Sequence, residues 1–357
     1  MPLTPGDVTV TCRPKPAAPA LCGLFHLGYQ IPCAFGKPGP ARHNARMNTA
    51  PTWTAITTEP DGLSESPFWH PQENRLYWVD IPGRRLARLS IQGQMQAQGP
   101  VEYWPVPEEP GCIAPVQGGG LIIALRDGIY LGKTWGGPLQ LLAAAPYDTT
   151  LVRFNDGKCD PLGRFWAGSM YEPRDKAEGV LYCLNGHVLQ PMMDRATVAN
   201  GLAWSPDRTT LYWSCTGSHQ VRAWDWDAAN NRLSNERLFH QAQTKPAGWT
   251  WGQATGPRYG GRPDGATVDS LGHYYSAMYE GKRIVQFSPQ GQVLAELETP
   301  VQCPTMPCLG GEDLKTLFIT SSRQGRSEAE LAAMPGSGCI WAMRVDVPGL
   351  PVNFYKT

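Results

Sequence analysis

Four oxygen-bearing side chains stand at the same position within a repeating sequence pattern. Glu65, Asn155, Asn200 and Asp264 each stand near the start of a segment that leads through a turn into an aromatic-rich strand. Asn-Gly and Asp-Gly pairs favour turns, which explains such residues singly. That explanation accounts poorly for their recurrence at one phase, and it does not apply to Glu65, which precedes Ser-Pro. Two carboxylates and one or two amides form an oxygen-only donor set that suits Ca²⁺, Mg²⁺, Mn²⁺ or Zn²⁺.

The elements that must position these side chains follow from the repeat itself. Six segments share the rhythm, and they begin at residues 65, 111, 155, 200, 264 and 304, in steps of 46, 44, 45, 64 and 40. A period near 45 residues, with about four short strands per unit, is typical of a β-propeller blade. We therefore predict an all-β fold, a single six-bladed β-propeller over residues 47–357. The strand starts hold Glu65, Gly111, Asn155, Asn200, Asp264 and Pro304, so the four oxygen donors should converge on the central channel.

Composition agrees with a fold of many short strands. The 357 residues are 41% hydrophobic, which is enough for a core, and they include 39 Gly and 34 Pro. The 31 Lys and Arg residues balance 31 Asp and Glu residues. A net charge of zero argues against nucleic acid as a partner, because phosphate binding needs a basic surface. No apolar run approaches the roughly 20 residues of a membrane span, so we predict no membrane partner.

The first 46 residues differ from the rest. They are rich in Pro, Gly and Ala, and they lack the basic start and apolar stretch of a signal peptide. Met47 opens patterned sequence, so we predict that residues 1–46 are a disordered or non-native extension. The ten cysteines form no CxxC pair, and we interpret them as mostly free thiols in a reducing, cytoplasmic compartment. Cys303 and Cys308 are interpreted as strand residues in preference to a metal or redox site.

The sequence offers little support for a histidine metal site or for a serine nucleophile. The seven histidines form no HxxxH or HxH pair, and no GxSxG elbow is present. Tyr77-Trp78 and Tyr212-Trp213 are predicted to be blade core. The long step of 64 residues contains an insertion at about 240–262, which carries Trp249 and Trp251. Long loops on a propeller face are often lids or binding elements, and a plain surface loop is the alternative.

The same segments resemble the SMP-30/gluconolactonase/regucalcin family of six-bladed propellers. The resemblance runs from about Ser64 to Arg323, and its strength lies in the order and spacing of several short motifs. The motifs are Ser64-Glu-Ser-Pro-Phe-Trp69, Tyr77-Trp-Val-Asp-Ile-Pro82, Arg153-Phe-Asn-Asp-Gly-Lys158, Asp160-Pro-Leu-Gly-Arg-Phe-Trp-Ala-Gly-Ser-Met170, Ala199-Asn-Gly-Leu-Ala-Trp204, Arg262-Pro-Asp-Gly265 and Thr320-Ser-Ser-Arg323.

The resemblance implies a site with one divalent metal ion. Its metal ligands would be Glu65, Asn200 and Asp264, three of the residues that the repeat selects independently. The family's substrate contacts fall on Arg153 and Asn155.

Two further positions near this set follow from comparison with the family pattern. An acidic residue that follows the third blade's Gly168-Ser-Met170 often touches substrate in family members, which makes Glu172 a substrate-binding candidate. The sequence departs from the family at Cys215, where members often carry Asp. We therefore expect the residues that hold the metal ligands in position to differ here.

The family's common reaction is hydrolysis of a sugar lactone to the aldonic acid. The resemblance therefore implies a hydrolase with a small sugar lactone as its partner, and we expect a monomer because closed propellers expose few edges. The metal would polarise the lactone carbonyl, and Asp264 would act as both ligand and proton acceptor for water. Three alternatives remain: a metal-dependent phosphotriesterase, a non-catalytic calcium-binding regulatory propeller, and a protein-interaction platform.

Overall fold

Six four-stranded antiparallel sheets make up the computed structural model, which describes residues 52–93, 95–253 and 258–357. The predicted extension at 1–46 lies outside the described residues. From the innermost strand outwards, the first blade consists of β2 (Ser64–His70), β3 (Arg75–Asp80), β4 (Arg85–Gln92) and β5 (Gln96–Pro105), and the second of β6 (Pro110–Pro115), β7 (Leu121–Leu125), β8 (Gly128–Gly132) and β9 (Leu139–Ala144). The third blade consists of β10 (Val152–Cys159), β11 (Phe165–Tyr171), β12 (Gly179–Asn185) and β13 (Val188–Ala196), and the fourth of β14 (Ala199–Trp204), β15 (Thr210–Cys215), β16 (Gln220–Asp227) and β17 (Arg232–Gln241). The fifth blade consists of β18 (Arg262–Val268), β19 (Tyr274–Tyr279), β20 (Arg283–Phe287) and β21 (Val293–Glu298), and the sixth of β22 (Pro304–Gly310), β23 (Thr316–Ser321), β24 (Trp341–Arg344) and β1 (Thr54–Ala55).

The innermost strands form a closed ring. β2, β6, β10, β14, β18 and β22 each contact the inner strand of the next blade, and β22 returns to β2. The prediction of a six-bladed propeller is therefore confirmed, and each predicted repeat start lies within three residues of an inner strand's first residue.

The last blade is completed by the beginning of the described chain. β1 pairs antiparallel with β24 through Thr54 opposite Ala342 and Ala55 opposite Trp341. The repeat pattern did not predict this strand, because a two-residue strand carries no periodic signal. A short helix, α1 (Glu328–Ala333), lies between β23 and β24 and is capped by Ser327.

The hydrophobic core is divided into six layers, one between each pair of neighbouring blades. Trp69 and Trp78 of the first blade, for example, pack with Phe318 of the last blade. Trp166 and Trp204 pack between the third and fourth blades, with ring centroids 5.8 Å apart. The prediction that the aromatic pairs form blade core is confirmed for Tyr77-Trp78 and Tyr212-Trp213, which are all buried. The apolar side chains of the strands therefore fill the interfaces between blades.

The described cysteines are seven free thiols, of which six are buried. Burial raises the pKa of Cys303 and of Cys308 to about 12, which makes both unreactive near neutral pH. Within the described residues, no helix has the length and apolar character to cross a membrane.

Candidate metal and lactone site

A break in strand register marks each of the candidate site strands. The inner strand of the first blade loses register between Glu65 and Phe68, and that of the fourth between Asn200 and Ala203. The third and fifth blades shift at 154–157 and 263–266, where Asn155 and Asp264 stand. Bulges re-aim side chains and are frequent beside active sites. The recurring bulge explains how a strand can turn a polar side chain into the channel and still pair with its neighbour.

The structure brings the predicted donors together in the channel. Glu65, Asn155, Asn200 and Asp264 are all buried, with exposed fractions of 3–8%. The Asn155 Nδ2 atom donates to Asn200 Oδ1 at 2.8 Å and to the Ala199 carbonyl oxygen at 3.0 Å. Four side chains from four different blades therefore share one polar cluster.

Two carboxylates of this cluster have raised pKa values. Burial raises the pKa of Asp264 to about 8, and the charge of Asp156 adds to the rise. Burial also raises the pKa of Glu65 well above its usual range, reinforced by Asp264 and Asp156. Buried carboxylates with mutual repulsion favour either protonation or a bound cation.

Asp156 is a member of the cluster that the repeat analysis did not select. It is 5% exposed, and burial raises its pKa. Its Oδ2 atom accepts from the Leu202 backbone N–H at 3.1 Å, whereas Oδ1 is buried without a hydrogen-bond partner among the described residues. The repeat places Asn155 at the equivalent position and leaves its neighbour Asp156 out. In a bulge, however, two consecutive residues can face the same side, so the run of two polar residues was the available signal.

A second group of charges adjoins the donors. The Arg153 Nη1 atom donates to Asn155 Oδ1 at 2.9 Å, and Arg153 Nε lies 3.4 Å from Glu172 Oε1. Glu172 also contacts Arg126, with 2.9 Å between Oε2 and Nη1. Burial works to raise the pKa of Glu172, but the two arginines outweigh it and hold that pKa below its usual value. The predicted substrate contacts Arg153, Asn155 and Glu172 thus form one connected network, to which Arg126 is an unpredicted addition.

Asn200 is held from behind by a threonine. The Asn200 Nδ2 atom donates to Thr216 Oγ1 at 2.7 Å, and that hydroxyl donates to the Pro263 carbonyl oxygen at 2.7 Å. Cys215, the position that departs from the family pattern, instead accepts from the Thr197 backbone N–H at 3.3 Å. The support expected at residue 215 is therefore provided one residue later, and it links Asn200 to the strand that carries Asp264.

Gly201 fixes the backbone beside Asn200, and replacing it should damage the site. Gly201 has φ +58°, and an added Cβ would lie 2.5 Å from both Ser214 Oγ and Tyr274 Oη. We expect Gly201→Ala to lower the free energy of unfolding by about 2–4 kcal/mol in urea titration. Gly186→Ala is the matched control, because φ is +59° and no atom lies within 4 Å of the added Cβ. Equal losses in both variants would show that the close contacts at Gly201 are unimportant.

The donor chemistry fits a hard divalent cation. No group of three or more His, Cys, Asp or Glu side chains is arranged as a metal site in the described residues. The candidate set instead combines the carboxylates of Glu65 and Asp264 with the amide oxygen of Asn200. These oxygen donors, the raised carboxylate pKa values and the unpartnered Oδ1 of Asp156 all suit a cation at this point.

The opposite end of the channel holds a different space. A cavity of about 350 Å³ lies there, lined by the later residues of the inner strands, such as Trp69 and Trp204, and by residues 350–353. Lys158 reaches into this region and donates to the Ala266 carbonyl oxygen. None of Glu65, Asn200 or Asp264 lines the cavity. The polar cluster, and not this cavity, is therefore the candidate reaction site.

The insertion at 240–262 begins in β17 and ends in β18, the strand that carries Asp264. Its Lys245 backbone N–H donates to His219 Nε2 at 3.2 Å, and Lys245 Nζ lies 2.8 Å from Glu280 Oε1. Trp249 packs on Tyr259, with ring centroids 5.1 Å apart. Its described part is thus anchored to neighbouring loops.

A six-bladed propeller with carboxylate and amide donors at one end of its channel defines the class of this protein. Comparison with family models gives its family: the chain belongs to the SMP-30/gluconolactonase/LRE-like family, whose model matches residues 63–323.

Curated relatives agree with this assignment. The chain is 42% identical over 299 residues to a 6-deoxy-6-sulfogluconolactonase from Pseudomonas putida, covering 84% of this chain and 96% of that protein. It is 30% identical over 305 residues to regucalcin from Danio rerio, covering 84% and 97% respectively.

Solved structures support the fold. A calcium-binding protein, regucalcin, from Agrobacterium tumefaciens matches with a TM-score of 0.77 and 23% identity, covering 86% of this chain and 98% of that one. A gluconolactonase from Xanthomonas campestris matches with a TM-score of 0.61 and 24% identity, covering 83% and 89%.

Proposed function

We propose that this protein is a metal-dependent sugar lactonase. The observation that carries the proposal is the pair of buried carboxylates, Glu65 and Asp264, whose pKa values are raised by burial and by the charge of neighbouring carboxylates such as Asp156. Glu65, Asp264 and Asn200 would hold one divalent cation, and Asn155 stands beside them. A bound cation would ionise both carboxylates and polarise the lactone carbonyl.

The chain's own residues then have distinct tasks. Arg153 and Asn155 would hold the sugar's hydroxyl and ring oxygens, since their side chains are linked and lie beside Asn200. Glu172 would orient Arg153 and accept hydrogen bonds from the sugar. Asp264 would accept a proton from the attacking water as the water oxygen bonds to the carbonyl carbon. When the ring C–O bond breaks, the same proton can pass to the leaving oxygen, which yields the aldonic acid.

Hydrolysis of a lactone panel, followed by proton release, tests the proposal. The protein is first treated with chelator, and Ca²⁺, Zn²⁺, Mn²⁺ and Mg²⁺ are then added back singly. The relative named for 6-deoxy-6-sulfogluconolactone makes that compound the first to assay, beside neutral glucono-1,5-lactone. We expect metal-restored turnover of at least one sugar lactone. Turnover no faster than the spontaneous rate with every lactone and metal would reject the lactonase assignment.

A calcium-binding regulator is the second candidate, because several curated relatives are named regucalcin. Calorimetry on the same chelated protein separates the two. Calcium binding without turnover of any lactone would favour the regulator, and a metal-dependent phosphotriester activity in place of lactone hydrolysis would favour a phosphotriesterase.

A further inference from the structure

A continuous chain of hydrogen bonds crosses the polar cluster, from Arg153 to the carbonyl oxygen of Pro263. The Arg153 Nη1 atom donates to Asn155 Oδ1 at 2.9 Å, and Asn155 Nδ2 donates to Asn200 Oδ1 at 2.8 Å. Asn200 Nδ2 then donates to Thr216 Oγ1, and that hydroxyl donates to Pro263, both at 2.7 Å. All four side chains are buried. Each bond runs in the same direction, so the orientation of every member depends on its two neighbours.

The two ends of this chain fix its direction. A guanidinium has only donors, so Asn155 turns its oxygen to Arg153 and its amide nitrogen to Asn200. At the other end, a carbonyl oxygen can only accept, so the oxygen of Pro263 takes the single proton of the Thr216 hydroxyl. With its proton engaged, Thr216 Oγ1 can only accept a hydrogen bond from Asn200.

One orientation of the Asn200 amide satisfies both neighbours. A rotated amide would bring its nitrogen against Asn155 Nδ2, which is also a donor, and would leave the Thr216 hydroxyl with one proton for two acceptors. In the observed orientation Asn200 Oδ1 accepts from Asn155 and keeps a second lone pair. Hard cations bind the oxygen of an amide and not its NH₂ group, so the orientation decides whether Asn200 can serve as a ligand.

The backbone of Thr216 is itself held on both sides. Its N–H donates to the Val198 carbonyl oxygen at 3.2 Å, and its carbonyl oxygen accepts from the His219 N–H at 3.3 Å. Thr216 belongs to the fourth blade, whereas its hydroxyl bonds to β18 of the fifth blade, one residue before Asp264. The hydroxyl is therefore placed by the fold, and it joins the strands that carry two of the predicted metal ligands.

We propose that Thr216 is a positioning residue, which holds the Asn200 amide with its oxygen available to the divalent cation and so sets the affinity for that cation. The inference rests on the metal site of the proposed lactonase. Groups that orient a metal ligand from outside the coordination sphere typically contribute about 10–100-fold in metal affinity. Thr216 touches neither the lactone nor the attacking water in this account, so the chemical step itself should depend on it little.

Thr216→Val tests the inference, because valine matches threonine in shape and lacks the hydroxyl. Calorimetry of Ca²⁺ and of Mn²⁺ binding to the chelator-treated protein is the measurement. We expect the Kd to rise by at least about 10-fold in Thr216→Val. Thr216→Ala removes the same hydroxyl without the bulk of valine and should show the same loss. Thr216→Ser keeps the hydroxyl and should restore the affinity to within about threefold of wild type.

Thr299→Val is the matched control. Thr299 is also buried, and its hydroxyl donates to the Val301 carbonyl oxygen at 2.8 Å, outside the polar cluster. Thr299→Val and Thr216→Val each leave a buried carbonyl oxygen without its partner, so both should unfold at lower urea concentration than wild type. Only Thr216→Val should bind the cations more weakly. At saturating metal its kcat and its KM for the lactone should stay within about threefold of wild type.

Asn200→Asp provides a test of the orientation itself, because a carboxylate presents an oxygen in either orientation. When Thr216→Val is made in the Asn200→Asp protein, it should raise the Kd by less than about threefold. Wild type, the two single variants and the double variant form a double-mutant cycle in metal affinity. A loss of the same size in both backgrounds would show that Thr216 does not act through the amide, which would overturn the inference.

Cation binding by Thr216→Val and Thr216→Ala as tight as that of wild type would also overturn it, and so would an equal loss in Thr216→Ser. Wild-type protein that binds neither cation would overturn it as well. Tight cation binding by wild type without turnover of any lactone would instead reject the proposed lactonase function and leave the role of Thr216 standing. The two failures are therefore distinguishable.

Discussion

Asp264→Asn should reduce kcat for lactone hydrolysis by about 10²–10⁴-fold at saturating metal, because the variant cannot accept a proton from water. Asparagine keeps the size and one oxygen of the side chain. The loss in kcat therefore measures what the carboxylate's charge and its ability to accept a proton contribute. The measurement is metal-restored proton release over a range of metal concentrations. Calorimetry on the same samples would show whether weaker metal binding contributes.

Asp207→Asn is the comparison for this variant. Asp207 is an exposed turn residue at 205–210, where it accepts from the Thr209 backbone N–H at 3.1 Å. Its replacement should leave turnover unchanged. Retention of more than a tenth of wild-type kcat in Asp264→Asn would remove Asp264 from the proton-accepting role, provided that circular dichroism shows an intact fold.

The stability of the metal-free protein should depend on pH through the same carboxylates. The pKa of Asp264 is about 8 in the folded protein and 3.8 ordinarily, so the folded state binds more protons than the unfolded state in between. The contribution of Asp264 to the free energy of unfolding therefore falls as the pH rises from about 4 to about 8, by on the order of several kcal/mol. Glu65 contributes in the same direction, because its pKa is also raised.

A divalent cation should remove most of this loss, because it favours the ionised carboxylates. Urea titrations at pH 5 and pH 8.5, with chelator and with added metal, measure the effect. Other carboxylates, such as Glu172, have lowered pKa values and act in the opposite direction. The Glu65→Gln, Asp264→Asn double variant provides the reference, since it keeps those groups. Identical pH dependence of the free energy of unfolding in the metal-free wild type and the metal-free double variant would show that the pKa values of Glu65 and Asp264 are not raised.

The blades could be predicted because the same short sequence pattern recurs at each inner strand. An apolar run, a turn and an aromatic strand recur near every 45 residues, and a fixed period forces equivalent residues onto one axis. For that reason Glu65, Asn155, Asn200 and Asp264 could be placed in one cluster without a structure.

The missed residues depend on contacts that have no fixed spacing. Asp156 enters the cluster because a bulge turns two consecutive side chains inward. Thr216 and Arg126 reach the site from a loop of the fourth blade and a loop of the second. Such loops differ from blade to blade, so the repeat says nothing about them.

The pairing of β1 with β24 gives this ring a single seam. Two ladder positions, together with the bonds from Ile56 N to the Ile340 carbonyl oxygen at 2.8 Å and from Ile340 N to Thr57 Oγ1 at 3.0 Å, join opposite ends of the described chain. The other blades can form from neighbouring stretches of chain, whereas the last blade needs partners separated by nearly all of it. Because such distant contacts are slow to form, ring closure is the natural final step of folding. The same seam is where a stretched or partly unfolded ring would open first, and the polar cluster, whose side chains come from four blades, would come apart once the blades spread.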